Sequence, residues 1–187
     1  MSVSIKASEI GLTPGVWTID PIHSTVEFIV KHLVISKVRG RFNEFAGTIS
    51  IAENILDSTV LATIQANSIF TGQEMRDNHI RSGDFLEIEK FPEITFQSTS
   101  ITANNKNYTL TGDLTLRGVT KEVTLELEFN GAGAHPQGGL RVGFSATGSL
   151  SRKDFGIEYN APLEGGGVIL SDKLTLEFEI QASSTAA

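Results

Sequence analysis

The sequence predicts an all-β domain whose strands form an antiparallel meander closed into a barrel. Apolar and polar residues alternate through most of the 187-residue chain, a pattern typical of strands with one buried and one exposed face. About eight such segments occur, and short turns join most of them, so consecutive strands should be antiparallel neighbours. One apolar face per strand fits a barrel with paired edges, and a two-sheet sandwich is the alternative that strand number leaves open.

The first strand is predicted directly after Pro21. Its apolar face carries Ser24, Val26, Phe28, Val30 and His32, whereas Ile29 is an apolar exception on the other face. A polar group on an apolar face is costly unless it finds a partner. The imidazole of His32 therefore needs a partner in the protein or in a ligand.

Seven further strands follow from the same alternation. They are predicted at about residues 38–51, 58–67, 93–101, 108–116, 123–129, 140–150 and 174–180. A slip of the apolar phase between Phe42 and Phe45 indicates a bulge or a bend. In the third of these segments one face is predicted to carry Ile94, Phe96, Ser98 and Ser100. Turns are expected at 104–105, 117–118 and 131–139, and a glycine-rich connection at 165–167.

One stretch departs from the strand pattern and predicts a helical insertion over about residues 72–87. Residues 71–74 fit a capping box, which satisfies free amide groups at a helix start. Met75 and His79 are four residues apart, and Gly83 is a plausible stop. We expect a short helix near 72–82 and a second helical turn at 84–87.

Five segments, in order, resemble the YceI family. They are Trp17-x-Ile19-Asp20 with His23-Ser24-x-Val26-x-Phe28-x-Val30-x-His32-Leu33; Gly40-x-Phe42-x-x-Phe45-x-Gly47-x-Ile49; Arg76-Asp77-x-His79-Ile80-x-Ser82-x-Asp84-Phe85-Leu86 leading to Phe91-Pro92-Glu93-Ile94-x-Phe96-x-Ser98; Gly112-Asp113-Leu114-Thr115-Leu116-Arg117-Gly118-Val119-Thr120-Lys121; and Ser151-Arg152-x-Asp154-Phe155-Gly156-Ile157. The resemblance covers roughly residues 16–182 of a single domain, 1–187. It implies an eight-stranded lipocalin-like barrel that holds a long isoprenoid chain in an apolar pore.

The interior of such a barrel is either filled by side chains or holds one small ligand. Several small residues are predicted to face inward, namely Ala62, Ala66, Gly112, Ala146 and Gly148. Opposite Phe28, Phe96 and Phe144 they could leave an elongated cavity, or they could pack tightly against the rings. The residues alone leave both interpretations open, and the family resemblance favours the cavity.

The candidate ligand-binding residues divide into an apolar wall and a polar end. The wall comprises Phe28, Val30, Phe42, Phe85, Phe96, Leu114, Phe144 and Phe178, and the polar end comprises His32, Arg76 and His79. On the helix, Arg76, Asp77, His79 and Arg81 form either a lid that meets a ligand headgroup or a plug that ties the helix to the barrel. For Asp77 we favour the structural role.

Catalytic and metal-binding functions have little support. His23, His32 and His79 lack the spacing of zinc motifs, and the chain has no cysteine, so no metal site or cofactor is predicted. GxSxG, P-loop and dinucleotide motifs are absent, and Ser24 and His23 lie on opposite strand faces.

The predicted function is non-catalytic binding, transport or storage of an isoprenoid, such as a quinone tail or a polyprenyl phosphate. The alternatives are an enzyme that acts on a quinone-like lipid with His32 or His79 as acid/base, and a stress-associated interaction protein with a packed barrel.

The net charge of −7 argues against nucleic acid as a partner and gives no help towards anionic membranes. A basic patch at Lys31, Lys37, Arg39 and Arg41 either steers an acidic partner or is a solvated face. Residues 1–10 do not resemble a signal peptide, and no segment is long enough to span a membrane. We therefore expect a cytoplasmic bacterial protein without stable membrane insertion, although many YceI members are periplasmic. The resemblance also suggests a homodimer.

Overall fold

The computed structural model describes residues 4–105, 107–164 and 167–184, and over these residues the chain forms one antiparallel barrel. The strands are β1 (Gly15–Ile19), β2 (Thr25–His32), β3 (Ser36–Phe42), β4 (Phe45–Ile51), β5 (Thr59–Gln65), β6 (Ile69–Phe70), β7 (Glu93–Asn104), β8 (Asn107–Leu116), β9 (Val119–Ala134), β10 (Leu140–Ser151) and β11 (Leu170–Ser184). One α-helix, α1, spans Glu74–Arg81, and four short 3₁₀ helices span Ala7–Ile10, Ile55–Asp57, Ala66–Ser68 and Arg152–Phe155. Residues 165–166 of the predicted glycine-rich connection and residues 1–3 of the N-terminal segment lie outside the described residues.

The barrel has eight strands because three of its strands are interrupted. β1 and β2 form one bent strand, β3 and β4 the next, and β5 and β6 the third, since β1 pairs with β4, β2 with β3, and β3 with β6. The strand β11 closes the ring, because it pairs with β10 on one side and with both β2 and β1 on the other. The predicted closed barrel is confirmed, and the bend predicted between Phe42 and Phe45 is the break between β3 and β4.

The break between β1 and β2 is built around Asp20. Its carboxylate accepts a hydrogen bond from the Ile22 amide at 2.9 Å and contacts the His23 ring nitrogen Nδ1 at 2.8 Å. The hydrogen bond with His23 is the main cause that lowers the pKa of Asp20 below its ordinary value; burial opposes it, and the amides of Ile22 and His23 reinforce it. These bonds fix the turn at which the strand changes direction.

We predict that His23→Ala raises the pKa of Asp20, as measured by NMR titration of the side-chain carboxyl carbon. Because the folded pKa is depressed, the stability that Asp20 contributes is present above its unfolded pKa and is lost as the pH falls through its folded pKa. The variant should therefore be less stable than the wild type at neutral pH, and this difference should shrink as the pH falls through the folded pKa of Asp20. An unchanged pKa of Asp20 in His23→Ala would contradict the assignment.

The strand β7 contains a bulge that overturns one sequence prediction. Its pairing with β8 shifts between Ser98 and Ser100, and the Ser98 hydroxyl accepts a hydrogen bond from the Val60 amide at 2.7 Å. The extra residue reverses the alternation, so Ile101 lines the interior and Ser100 is exposed. The prediction that Ser100 shares the inner face with Ile94 and Phe96 is therefore wrong.

The helical insertion is shorter than predicted, and its cap differs. Gln73 is the N-cap, and its side-chain oxygen accepts a hydrogen bond from the Arg76 amide. The predicted capping box at 71–74 is wrong, because Thr71 instead donates its amide and hydroxyl protons to Asp77. The helix ends at Arg81 with Ser82 as its C-cap, and residues 83–86 and 88–90 form turns in place of the predicted second helical turn.

The two ends of the barrel are covered differently. At one end the 3₁₀ helix Ala7–Ile10 packs over the core around Trp17, which is 1% exposed and donates its indole N–H to the Thr13 carbonyl. The other end, which we call the mouth, carries the tip of the β2–β3 hairpin, residues 71–92, residues 152–164 and residues 167–169. No helix among the described residues is long and apolar enough to cross a membrane.

Candidate functional site

The barrel encloses an apolar cavity with two lobes. The large lobe, of about 440 Å³, lies towards the mouth, and the small lobe, of about 170 Å³, lies beneath the 3₁₀ helix Ala7–Ile10. Aliphatic and aromatic side chains line most of both lobes. The two lobes share five lining residues, which form the boundary between them: Val26, Ile64, Leu114, Leu176 and Phe178. The large lobe alone has the volume of an ordinary small-molecule site.

The structure brings all eleven candidate ligand-binding residues to this cavity. Lining the large lobe are Phe28, Val30, His32, Phe42, Arg76, His79 and Phe85; lining the small lobe are Phe96 and Phe144; and lining both are Leu114 and Phe178. Their common placement follows from the alternation of inward and outward residues along closed strands. That they contact a ligand stays a prediction.

The small inward residues do not by themselves create the cavity. A Cβ atom on Gly112 would lie 2.5 Å from the ring of Phe96, and one on Gly40 would lie 2.3 Å from the ring of Phe28. These glycines accommodate aromatic rings, which is the packing interpretation. Ala62 and Ala146 line the small lobe, as the cavity interpretation requires. Tight local packing and a hollow interior therefore coexist in this barrel.

The polar end of the cavity contains an aromatic cluster centred on His79. The ring of His79 contacts Tyr159 and Phe85 edge to face, with centroid distances of 4.9 and 5.1 Å. Its Nε2 atom is 2.7 Å from the Asp84 carboxylate. Among the described residues, no serine or threonine hydroxyl is bonded to the His79 ring, as a histidine-activated nucleophile would require.

Two other polar side chains at this end retain free hydrogen-bonding capacity. Arg76 donates to the hydroxyl and the carbonyl of Thr71, at 2.7 and 2.8 Å, and pairs with no carboxylate in the described part of the chain. The ring of His32 makes no side-chain hydrogen bond there, although its position lines the large lobe. The arrangement can offer hydrogen-bond donors to a polar group at the mouth.

Asp77 has the structural role that the sequence favoured. It is 4% exposed and accepts both hydrogen bonds from Thr71. Its partner is thus a threonine of the preceding loop. Arg81 also ties the helix to the barrel, because it donates to the carbonyls of Asn67 and Ile69.

The most important residue that the sequence reasoning missed is Arg152. It lines the large lobe, is 3% exposed, and donates to the carbonyls of Ser171, Ile157 and Tyr159 at 2.7–3.1 Å. It also pairs with Asp172 at 3.3 Å. The YceI-like motif that contains Arg152 could have pointed to its importance, but an arginine after a strand usually indicates a solvated charge.

The basic patch divides into paired and unpaired members. Arg39 pairs with Glu177 at 2.8 Å and with Glu27 at 3.8 Å, and these interactions raise its pKa, that of Glu177 most strongly. Arg41 lies over the exposed ring of Phe70. No group of three metal-ligating side chains occurs in the part of the chain that the structure describes.

Comparison with known proteins identifies the family. The sequence profile of the YceI-like domain matches residues 17–182. The chain belongs to the YceI-like family. A UPF0312 protein of Staphylococcus aureus strain N315 is 41% identical over 171 residues, which cover 89% of this chain and 96% of that protein.

Two solved structures have the same fold. BcnA of Burkholderia cenocepacia has a TM-score of 0.74 at 21% identity, covering 87% of this chain and 98% of that chain. A structure described as a polyisoprenoid binding domain from Saccharophagus degradans, implicated in plant cell wall breakdown, has a TM-score of 0.65 at 15% identity. It covers 92% of this chain and 99% of its own. At these identities the likeness supports the fold.

Three of the five YceI-like motifs, those that contain Gly83, Arg117 and Gly156, meet at the mouth of the barrel. Arg117, in the tight turn between β8 and β9, donates to the carbonyls of Gly156 and Gly83 and pairs with Glu87 at 3.3 Å. Arg152 similarly connects its own segment to β11. Two arginines thus hold the segments that cover the large lobe, and this explains why separated motifs have a common location.

Proposed function

We propose that this protein binds a long-chain isoprenoid inside the barrel without chemically transforming it. The observation that carries the proposal is the apolar two-lobed cavity, with polar side chains concentrated at its mouth. Each methylene group removed from water contributes about 0.8 kcal/mol, so a long apolar chain binds without many directional contacts. The Saccharophagus degradans neighbour, described as polyisoprenoid-binding, supports the same ligand class.

The two lobes favour an elongated ligand over a compact one. The five residues that line both lobes form a boundary, which we call the waist. We infer that a narrow chain passes the waist, whereas a fused ring system of similar volume fills two lobes poorly. We infer that the chain runs from the large lobe towards Phe144 in the small lobe. Its polar head then stays near Arg76 and His32, whose donors suit the oxygen atoms of a quinone or a polyprenyl phosphate.

The proposal is tested by extracting the purified protein with organic solvent and by native mass spectrometry before and after incubation with polyprenyl compounds. A matched pair of variants on β11 separates the interior from the surface. Leu174 lines the large lobe, whereas its neighbour Thr175 is exposed on the outer face. We predict that Leu174→Trp weakens isoprenoid binding roughly fifty-fold, since it displaces about three methylene groups, and that Thr175→Trp leaves binding unchanged.

Thermal unfolding of both variants verifies that they are folded. A wild-type protein that carries no prenyl compound and takes up none would overturn the proposal. Equal affinities of the two tryptophan variants would show that binding occurs outside the barrel.

A further inference from the structure

The tip of the β2–β3 hairpin exposes apolar side chains at the mouth of the cavity. Val34 is 79% exposed and Ile35 is 86% exposed. The tip lies beside the large lobe, because the preceding residue His32 lines that lobe and the Leu33 amide donates to the Ile169 carbonyl at 2.8 Å. Val168, next to that carbonyl, is 48% exposed. The mouth therefore has an apolar, protruding corner.

The backbone of this tip is unusual for the residues that form it. Leu33 and Val34 have φ values of 54° and 64°, in the left-handed region that tight hairpins normally fill with asparagine and glycine. A β-branched residue such as Val34 is strongly disfavoured there. Strained backbone of this kind tends to accompany function, and an apolar side chain held at a solvent-exposed turn needs a reason outside the fold.

The charges behind the tip point to an anionic partner. Lys31 and Lys37 are directly opposite each other on the outer face, and like charges at such a pair destabilise a sheet. Neither lysine pairs with a carboxylate among the described residues. Arg39, the next residue after Lys37 on the same face of β3, does pair with one. The hairpin from β2 to β3 carries four basic side chains and one acidic, although the whole chain has a net charge of −7.

We propose that this hairpin docks the protein reversibly on an anionic lipid bilayer, with Val34 and Ile35 among the headgroups and Lys31 and Lys37 against lipid phosphates. Peripheral binding of this type combines apolar burial with electrostatic attraction. It would bring the mouth of the large lobe to the membrane surface. The purpose of docking rests on the proposed function, because an isoprenoid has to pass between the barrel and a bilayer.

A bilayer fits the shape of this surface better than another protein does. The exposed apolar residues form a narrow protruding tip, whereas a stable protein interface buries about 800 Å² on each partner. A tip of two side chains can enter a headgroup layer without any complementary pocket. Self-association through the tip is the competing outcome that the experiment has to detect.

The test is flotation with phosphatidylcholine vesicles, prepared with and without phosphatidylglycerol. We expect the wild-type protein to float with the anionic vesicles, and its partition coefficient to fall at least about tenfold in Val34→Ser/Ile35→Ser and in Lys31→Glu/Lys37→Glu. Ile22→Ser is the matched control, since Ile22 is 86% exposed in the turn between β1 and β2, away from the mouth. Its partition should equal that of the wild type.

A second variant guards against loss of folding. Val34→Gly relieves the left-handed backbone and removes the apolar side chain, so we expect a higher melting temperature together with weaker vesicle binding. Absence of wild-type flotation, or equal flotation of Val34→Ser/Ile35→Ser, overturns docking. If the wild type is an oligomer on gel filtration and Val34→Ser/Ile35→Ser is a monomer, the docking proposal is also overturned, in favour of self-association through the tip.

Uptake of polyprenyl phosphate from detergent solution separates this proposal from the proposed function. We expect the tip variants to load normally from detergent and more slowly from vesicles. Vesicle binding without any isoprenoid uptake would overturn the proposed function and leave the docking surface standing. Normal uptake from vesicles by the tip variants would overturn the docking proposal alone.

Discussion

Replacing Arg152 with methionine is expected to lower the free energy of unfolding by about 3–5 kcal/mol, because methionine fills similar space but donates no hydrogen bond. The carbonyls of Ser171, Ile157 and Tyr159 would lose the guanidinium, and at least one of these bonds is fully buried. A loss of this size lowers the melting temperature of a domain of this length by about 10 °C. Thermal and urea unfolding measure the effect.

The neighbouring lysine supplies the control for Arg152. Lys153 also pairs with Asp172, at 2.9 Å, but its side chain is 52% exposed, so Lys153→Met should change stability by less than about 1 kcal/mol. Hydrogen exchange of residues 157–161 should increase in Arg152→Met and not in Lys153→Met. If both variants unfold at the same urea concentration, the three carbonyl bonds contribute little to the fold.

The strands and the inward-facing residues were predictable because they depend on a local period of two. The slip between Phe42 and Phe45 was visible for the same reason, since large apolar side chains mark the phase on both sides. The bulge at Ser98 was not visible, because three consecutive small polar residues, 98–100, carry no apolar phase that a shift could disturb. The bulged segment bonds to the amide of Val60, which lies far away in sequence, so this contact gives no local signal either.

The mouth was less predictable than the wall for a related reason. The acceptors of Arg152 belong to a later loop and to β11, so its burial depends on the complete fold. The hairpin tip at Leu33 and Val34 lacks the glycine or asparagine from which a tight turn is normally predicted. The sequence did not decide whether the interior is hollow or packed, because the answer depends on small differences in packing, such as the position of the Phe96 ring over Gly112.

A blocked waist should limit the length of prenyl chain that contributes to binding affinity. Leu114 lines both lobes, and Leu114→Trp is expected to block passage from the large lobe to the small one. Because Leu114 also lines the large lobe, a prenyl chain short enough for that lobe should lose no more than the roughly fifty-fold in affinity expected for Leu174→Trp. For longer chains, each five-carbon unit excluded from the small lobe costs on the order of 4 kcal/mol, which is about a thousand-fold in affinity.

The decisive measurement is a series of dissociation constants for prenyl compounds of increasing length, with wild type, Leu114→Trp and Asp113→Trp. Asp113 is the control, because it precedes Leu114 on β8 and is exposed on the outer face. We expect affinity to rise with length in the wild type and in Asp113→Trp, and to reach a plateau early in Leu114→Trp. A uniform loss at every length would mean that the ligand occupies only the large lobe or that the variant distorts it. Retention of the full length dependence would place the chain outside the waist, because a tryptophan at the boundary and a threaded chain exclude each other.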